Sequence, residues 1–220
     1  MTTCTISTLQ GGDIQKEFSK SQFIHLRKIV LTRLTTLNTR RGCEPARILI
    51  KDFLDHNSWI RKDELDNDDQ ELIERYKIVY SVGKGIGLIP VIIPTDCEKA
   101  IELLAEAKNH QHAGVCAENE LLFPYRQQSE DGTIGYNEIR DVCKHLDIPV
   151  VTFTSIRHRG STLFWALQCL QVETVDRFME HVGHSKEIDK NIYAVPPALN
   201  MLKTVIPIIS HLDQVNELRY

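Results

Sequence analysis

Apolar residues at Phe23, Ile24, Ile29, Val30 and Leu34, with Arg27 among them, form a broad stripe at helical spacing. That spacing predicts a helix over residues 20 to 38. Gly42 breaks the pattern, and Pro45 suits the first turn of a second helix from Glu44 to Leu54. Asn57 to Asp69 is polar and acidic and reads as a loop or exposed turn. The period then changes. Tyr76 to Val82 and Leu88 to Ile93 are β-rich runs on either side of Gly-Lys-Gly-Ile-Gly, which predicts a hairpin with Lys84 at its tip.

Helical patterns return after the hairpin. Asp96 is a good N-cap for a helix reaching Lys108. Gly132 to Gly135 reads as a turn, Asn137 to Leu146 as a short helix, and Pro149 to Phe153 as an extended connection. Ser155 to Leu170 reads as a core helix. Thr174 to Val182 reads as a shorter one, with Val175, Phe178, Met179 and Val182 turned inward and Gly183 ending it. Ile188 to Tyr193 fits a helical turn stopped by Pro196-Pro197, and Leu199 to Val215 a terminal helix kinked at Pro207. No internal repeat or low-complexity segment is present. The expected class is α+β, mainly helical with a small β-hairpin.

The chain has 220 residues, 42% hydrophobic and 25% charged, enough for a sizeable core. Its longest apolar runs, such as Leu88 to Ile93 and Val205 to Ile209, are too short to cross a bilayer, so no membrane partner is expected. The six cysteines are scattered, without CxxC or paired Cys/His spacing. They read as packed, reduced thiols of an intracellular protein.

The net charge of −4 argues at first against a polyanionic partner. Its distribution changes the picture. Asp52 to Glu74 carries nine acidic residues against Arg61 and Lys62, a local −7, and the remainder of the chain is +3. Arg40, Arg41, Arg47, Lys51, Arg157 and Arg159 gather near the candidate motifs. An acidic loop far from a basic cleft would reconcile the two. A mildly acidic protein with no polyanion partner is the plainer reading of charge alone.

Five residues have the chemistry to act on a phosphodiester. Arginines hold nonbridging oxygens with a planar fork that keeps its charge. Arg41 and Arg157 are the candidates, with Glu44 placed to cap a helix or orient an arginine. Lys84 at a glycine-flanked tip suits protonation of a leaving oxygen. His184 suits donation to phosphate, and Tyr193 suits nucleophilic attack. Each also has a plain structural reading: a surface arginine pair, a turn lysine, a C-capping histidine, a half-buried anchoring tyrosine. His181 with His184 suggests zinc, but no second pair of ligands is evident, so no metal is expected.

Together these fragments resemble the catalytic domain of the tyrosine recombinase/integrase superfamily. Arg41-Gly42-Cys43-Glu44 matches its Arg-x-x-Glu box, and Val82-Gly83-Lys84-Gly85 with Leu88-Ile89-Pro90-Val91 its lysine hairpin. Leu122-Phe123-Pro124 resembles the segment before the second box. Arg157-His158, followed by Ser161-Thr162, matches that box's arginine and the helix behind it. Gly183-His184-Ser185 and Tyr193 match the last two elements and their separation. Ser-Ile-Arg-His-Arg-Gly-Ser-Thr and Ile-Tyr-Ala-Val-Pro-Pro resemble the eukaryotic, Crypton-like branch. Thr154 occupies the place of the first histidine of the His-x-x-Arg box, where it can donate a hydrogen bond without carrying charge.

The resemblance implies a tyrosine-recombinase-like catalytic domain over residues 20–198, an N-terminal extension at 1–19 and a C-terminal helix or tail at 199–220. The family's helical DNA-clamping domain has no counterpart here, which suits either a trimmed chain or a derived remnant. The implied site is Arg41, Lys84, Arg157, His184 and Tyr193, supported by Glu44, Thr154 and His158, with no cofactor. The implied partner is double-stranded DNA, with protomers assembling on it, and the implied location is nuclear if the source is eukaryotic. Two functions stay open. One is DNA breaking and joining through a 3′-phosphotyrosyl link, as in recombination or integration. The other is a domesticated, transposon-derived DNA- or chromatin-binding module without catalysis, which Thr154 and the net charge favour.

Overall fold

The computed structural model describes residues 18–41, 44–56, 60, 65–83, 87–125, 129–157, 159, 181 and 198–217. It is mainly helical with one antiparallel strand pair, as the hydrophobic pattern predicts. Helix α1 (Lys20–Leu37) opens with a capping box, in which the Ser19 side chain accepts from Gln22 N–H and Gln22 bonds back to Ser19 N–H. A single 3-10 turn (Pro45–Arg47) and the short α2 (Ile50–Leu54) follow. Next come α3 (Asn67–Arg75), β1 (Tyr76–Val82), β2 (Leu88–Pro94), α4 (Thr95–Ala105), α5 (Ala107–Ala113) and α6 (Gly135–His145). The long α7 (Ala198–Glu217), with Pro207 inside it, is the last described element.

Several boundaries differ from the expected ones. The helix anticipated from Glu44 to Leu54 is split, because Leu49 bridges to Leu121 as a short extended pair and Leu122 N–H donates to Ile48 C=O at 2.8 Å. The acidic stretch is not loop up to Asp69, since α3 begins at Asn67. Asp66 caps it, and Asp66 and Asp69 form a capping box. Asp96 lies inside the first turn of α4 and is not its cap, Pro94 being the residue before the helix. The helix expected to reach Lys108 stops at Ala105. Asn109 donates to Leu103 C=O at 2.8 Å and the His110 ring meets Leu104 C=O at 2.6 Å, so side chains take over the carbonyls a further turn would use. The expected helices at Ser155 to Leu170 and Thr174 to Val182, and the turn at Ile188 to Tyr193, fall largely outside the described residues. Residues 153–157 are helical.

The strand pair is buried on both faces, which explains its nearly unbroken apolar runs. Val79, Val91 and Ile93 join Phe23, Leu26, Val30, Leu31 and Leu34 of α1 and Cys97, Ile101 and Leu104 of α4 in the larger core. On the other face Ile78, Tyr80 and Ile92 pack with Leu202, Val205, Ile206 and Ile209 of α7. Arg33 anchors α7 to α1 with two bonds to the Asp213 carboxylate, at 2.6 and 2.5 Å, and also pairs with Asp96. A third, smaller cluster of Ile139, Cys143 and Ile156 joins α6 to residues 153–157. Cys97 and Cys143 are free thiols within these cores. Among the described residues, no helix is long and apolar enough to cross a membrane.

Two buried polar devices fix the parts around the site. Arg27, within the apolar stripe of α1, donates to Glu138 of α6 at 2.8 Å and to Pro124 C=O at 2.6 Å, while the Thr133 hydroxyl also donates to Glu138. Asn38, the last residue of α1's cap, donates to Leu34 C=O and Ile92 C=O and accepts from Ile92 N–H at 2.8 Å. The end of α1 is thereby tied to the middle of β2.

Candidate phosphate site

The chain leaves α1 through Thr39, whose φ of 50° lies in the left-handed region. A β-branched residue is strained there. The strained step turns the backbone so that Arg40 and Arg41 follow at once, and Glu44 N–H closes the turn on Arg41 C=O at 2.9 Å. Replacing Thr39 with glycine should remove the strain and raise stability to urea by about 0.5–1 kcal/mol. A lower urea midpoint would mean that packing of the threonine side chain outweighs the strain.

The Arg-x-x-Glu turn is pressed between neighbours. Gly132 lies so close that a Cβ there would meet Ala46 O at 2.9 Å, so a side chain would push the 3-10 turn out of place. Ser81, near the end of β1, donates its hydroxyl to Glu44 C=O at 2.8 Å. Pairing continues to Val82 and Leu88, and Gly83 N–H bonds Gly87 C=O at 2.8 Å. The hairpin that carries Lys84 is thus bonded at its distal end to the arginine turn. Ser81 was not singled out from the sequence, where a serine in a strand carries no signal of its own.

Glu44 is buried, and its two oxygens face different arginines. Oε2 lies 3.7 Å from Arg40 Nη1, and Oε1 lies 3.9 Å from Arg41 Nη1. Arg40 is only 3% exposed, so it is an interior charge and no part of the basic surface it was expected to join. Burial, opposed by Glu44 and reinforced by Arg157 and Arg41, brings its pKa down to about 10, so it remains charged at neutral pH. Arg41 keeps 43% of its side chain exposed.

Arg157 comes from a distant stretch of the chain. Its helix starts on a third capping box, with Ser155 N–H on the Thr152 hydroxyl at 3.1 Å and Thr152 N–H on the Ser155 hydroxyl at 3.0 Å. Ile156 is buried against α6, which aims this turn at the arginine cluster. Partial burial and the Arg41 charge lower the proton affinity of Arg157, and Glu44 opposes the change. Arg41, Glu44 and Arg157 are therefore neighbours, although 116 residues separate the two arginines in the sequence. Thr154 is exposed in the first turn of the same helix. The α-helix N-terminus expected beside Arg41 is absent. Glu44 precedes a single 3-10 turn whose first residue is Pro45, so no array of N–H donors faces an anion there.

His181 is completely buried, its proton affinity driven well down by burial and by the nearby Arg40 charge, while contact with the Asn38 backbone works the other way. Its place beside Arg40 was not anticipated from sequence. Lys84, His158, His184 and Tyr193 lie outside the described residues. Among the described residues, no group of three or more His, Cys, Asp or Glu side chains could hold a metal ion.

What this cluster can do chemically is hold an anion. Three guanidinium groups stand around one carboxylate, and two of them, Arg41 and Arg157, are partly exposed. Exposed Arg47 and Lys51 lie just beyond the arginine turn and Arg159 just beyond Arg157 in the chain.

No family model and no curated protein matches the chain. Solved structures do. The XerH site-specific recombinase bound to difH substrate, as a pre-cleavage complex, aligns with a TM-score of 0.51 at 15% identity, covering 96% of this chain and 49% of that one. The XerH post-cleavage complex on palindromic difH aligns with a TM-score of 0.50 at 13% identity, covering 96% and 48%. The chain spans about half the length of these recombinases, and what it shares with them is a tyrosine-recombinase-like fold.

Proposed function

We propose that this protein binds duplex DNA and breaks and rejoins its strands through a 3′-phosphotyrosyl intermediate. The observation that carries this reading is the meeting of Arg41 and Arg157 beside a single buried carboxylate. Like charges held together and partly exposed are what a site for a doubly contacted phosphate requires. The fold shared with recombinases described as bound to their difH substrate supports it.

In this mechanism the two guanidinium groups hold the nonbridging oxygens of the scissile phosphate. Their charge offsets the negative charge that builds up as phosphorus becomes pentavalent. Tyr193 gives up its phenolic proton to solvent, a loss that the neighbouring cations favour, and attacks phosphorus in line as His184 donates to a phosphate oxygen. The 5′ oxygen leaves with a proton from Lys84, carried at the tip of a hairpin that Ser81 bonds to the arginine turn. The covalent link conserves the bond energy, so a strand's 5′ hydroxyl can reverse the step without ATP. Recombination then needs several protomers on two duplexes. Thr154, at the edge of the site, supplies at most an uncharged hydrogen bond.

The second reading, a transposon-derived module that binds DNA without cleaving it, is favoured by one residue. Thr154 stands where the family's His-x-x-Arg box has its first histidine. One experiment separates the readings. Nicked duplexes with randomised sequence around the nick are incubated with the protein, so that cleavage releases a short fragment and traps the adduct. Cleavage yields a protein–DNA adduct that survives denaturant, maps to Tyr193 by mass spectrometry and is lost in Tyr193→Phe. Duplex binding without any adduct would establish the second reading. Binding to the same duplexes should also weaken as salt rises, with a logarithmic slope of about −0.9 per phosphate neutralised. Duplex binding indifferent to salt would mean that the arginines neutralise no phosphate and would overturn the proposed site.

A further inference from the structure

Packing gives β1 no reason to carry a serine. Ser81 is 1% exposed, in a strand otherwise built of Tyr, Lys, Ile and Val. Val79, two residues earlier on the same face, packs in the larger core. Alanine or valine would continue that face without burying a hydroxyl. Serine hydroxyls commonly bond backbone close to them in the chain. Ser81 instead donates across 37 residues to Glu44 C=O at 2.8 Å. The acceptor does not depend on it, because the same carbonyl takes Arg47 N–H at 3.1 Å and so closes the 3-10 turn. The hydroxyl supplies an additional bond, and what that bond adds is a tie between two parts of the molecule.

The two parts carry different chemistry. Glu44 ends the Arg-x-x-Glu turn, and its carboxylate lies beside Arg41. Ser81 stands three residues before Lys84 in the chain. The path toward the lysine is short and stiff. Ser81 pairs with Ile89 and Val82 with Leu88, and Gly83 N–H bonds Gly87 C=O at 2.8 Å. The strands close so tightly there that a Cβ on Gly83 would meet Ile89 Cγ2 at 2.9 Å. A shift of Ser81 is therefore passed to Gly83, the residue before Lys84. On the other side of the turn Asn38 holds Ile92 of the same strand pair. Arg41 is thus bracketed by Asn38 before it and Glu44 after it, and both are bonded to the sheet that leads to Lys84.

We propose that Ser81 is a positioning residue for proton transfer, its hydroxyl fixing the lysine end of the strand pair at a set distance from the phosphate that Arg41 holds. The inference rests on the reading of Lys84 as the proton donor to the 5′ oxygen. A general acid acts only within hydrogen-bond reach of the leaving oxygen, about 2.6–3.2 Å. Lysine depends on a fixed base more than most residues, since its four-carbon stem is flexible. Loss of the hydroxyl leaves the turn closed by Arg47 and the strands paired, and removes a bond that keeps turn and strands in place relative to each other.

The test compares two leaving groups in one protein. The nicked duplex carries either the ordinary phosphodiester or a 5′-bridging phosphorothiolate at the position where the adduct forms. In the second, the P–S bond breaks and a 5′ thiolate departs without a proton, because thiols are far stronger acids than alcohols. Lys84→Ala is the control for the underlying reading. It should form adduct slowly on the phosphodiester and at nearly the wild-type rate on the phosphorothiolate. A lysine variant equally slow on both would mean that Lys84 is not the acid, and no adduct from the wild-type protein would mean that there is no cleavage. Each removes the reading on which the proposal stands. With the control satisfied, Ser81→Ala is expected to slow capture about tenfold on the phosphodiester and by less than about twofold on the phosphorothiolate. The ratio is read within one preparation, so an unfolded fraction lowers both rates alike and leaves it unchanged. Equal slowing on the two substrates would make the hydroxyl a support of the arginine turn or of the fold, and unchanged rates on both would make it idle. Either result overturns the proposal.

Discussion

Arg157→Ala should slow covalent capture of a nicked duplex by about 10²- to 10³-fold, the loss typical of removing one preorganised donor from a developing oxyanion. The size of the effect follows from where Arg157 stands. It is partly exposed, within the field of Arg41 and Glu44, on a helix held by its own capping box. Removing it takes away a charge the site has already oriented, at little structural cost, since substitutions at partly exposed positions shift stability by about 0.5 kcal/mol. Arg157→Lys keeps the charge and loses the fork, so it should fall between alanine and wild type. Adduct formation at equal rates in all three proteins would remove Arg157 from the site. The matched thermal midpoints of the three exclude unfolding as the cause of any loss.

The largest stability effect is expected at the buried pair between α1 and α6. Arg27→Met should cost about 3–5 kcal/mol in urea unfolding, because it leaves the Glu138 carboxylate buried without its cation. Both side chains are at most 5% exposed, and Arg27 also carries the bond to Pro124 C=O. The companion change separates charge from packing. Arg27→Met combined with Glu138→Leu removes both charges and should recover most of the loss, since an apolar pair of similar volume is often as stable as a buried ion pair. A single-variant cost below about 1 kcal/mol would mean that water or a rearranged neighbour satisfies Glu138. The pair matters to the site as well. It fixes α6, and α6 packs Ile139 and Cys143 on Ile156, the residue before Arg157.

The parts of the fold that were legible in the sequence share one property: local pattern and tertiary environment agree. Residues 20–37 have helical spacing and bury Phe23, Leu26, Val30, Leu31, Leu34 and Leu37 in the cores, and Arg27 reads as part of the stripe because it is buried there. The hairpin was legible because glycines bound its turn and both strand faces are covered. The misread stretches are those where distant residues override the local pattern. The helix expected from Glu44 is interrupted because Leu121 and Leu122 draw Ile48 and Leu49 into extended pairing. The start of α3 was hidden by its acidity, although Asp66 and Asp69 stand at capping-box spacing. At the site, the sequence pointed to Arg41, Glu44 and Arg157 through motif spacing, and the structure places them as neighbours. It gave no indication that Arg40 would be enclosed and Arg41 left partly exposed, because adjacent arginines look alike until the backbone turns at Thr39. Ser81 left no trace, and His181 was noted only as half of a metal pair that the sequence did not complete, since the contacts of both are with residues far away in the chain.

Asn38 has a consequence for the behaviour of the protein in concentrated solution. Its side-chain amide meets the outward N–H and C=O of Ile92 just as the backbone of a third strand would. A two-stranded sheet otherwise offers free edges on which another chain can add, and β2, with its Leu-Ile-Pro-Val-Ile-Ile-Pro sequence, is an apolar template for such growth. One amide closes that template at its centre, and Pro90 and Pro94 interrupt it toward the two ends. The residue that ties the end of α1 to β2 therefore also guards the sheet against self-association. Variants at position 38 should reveal themselves first as aggregates.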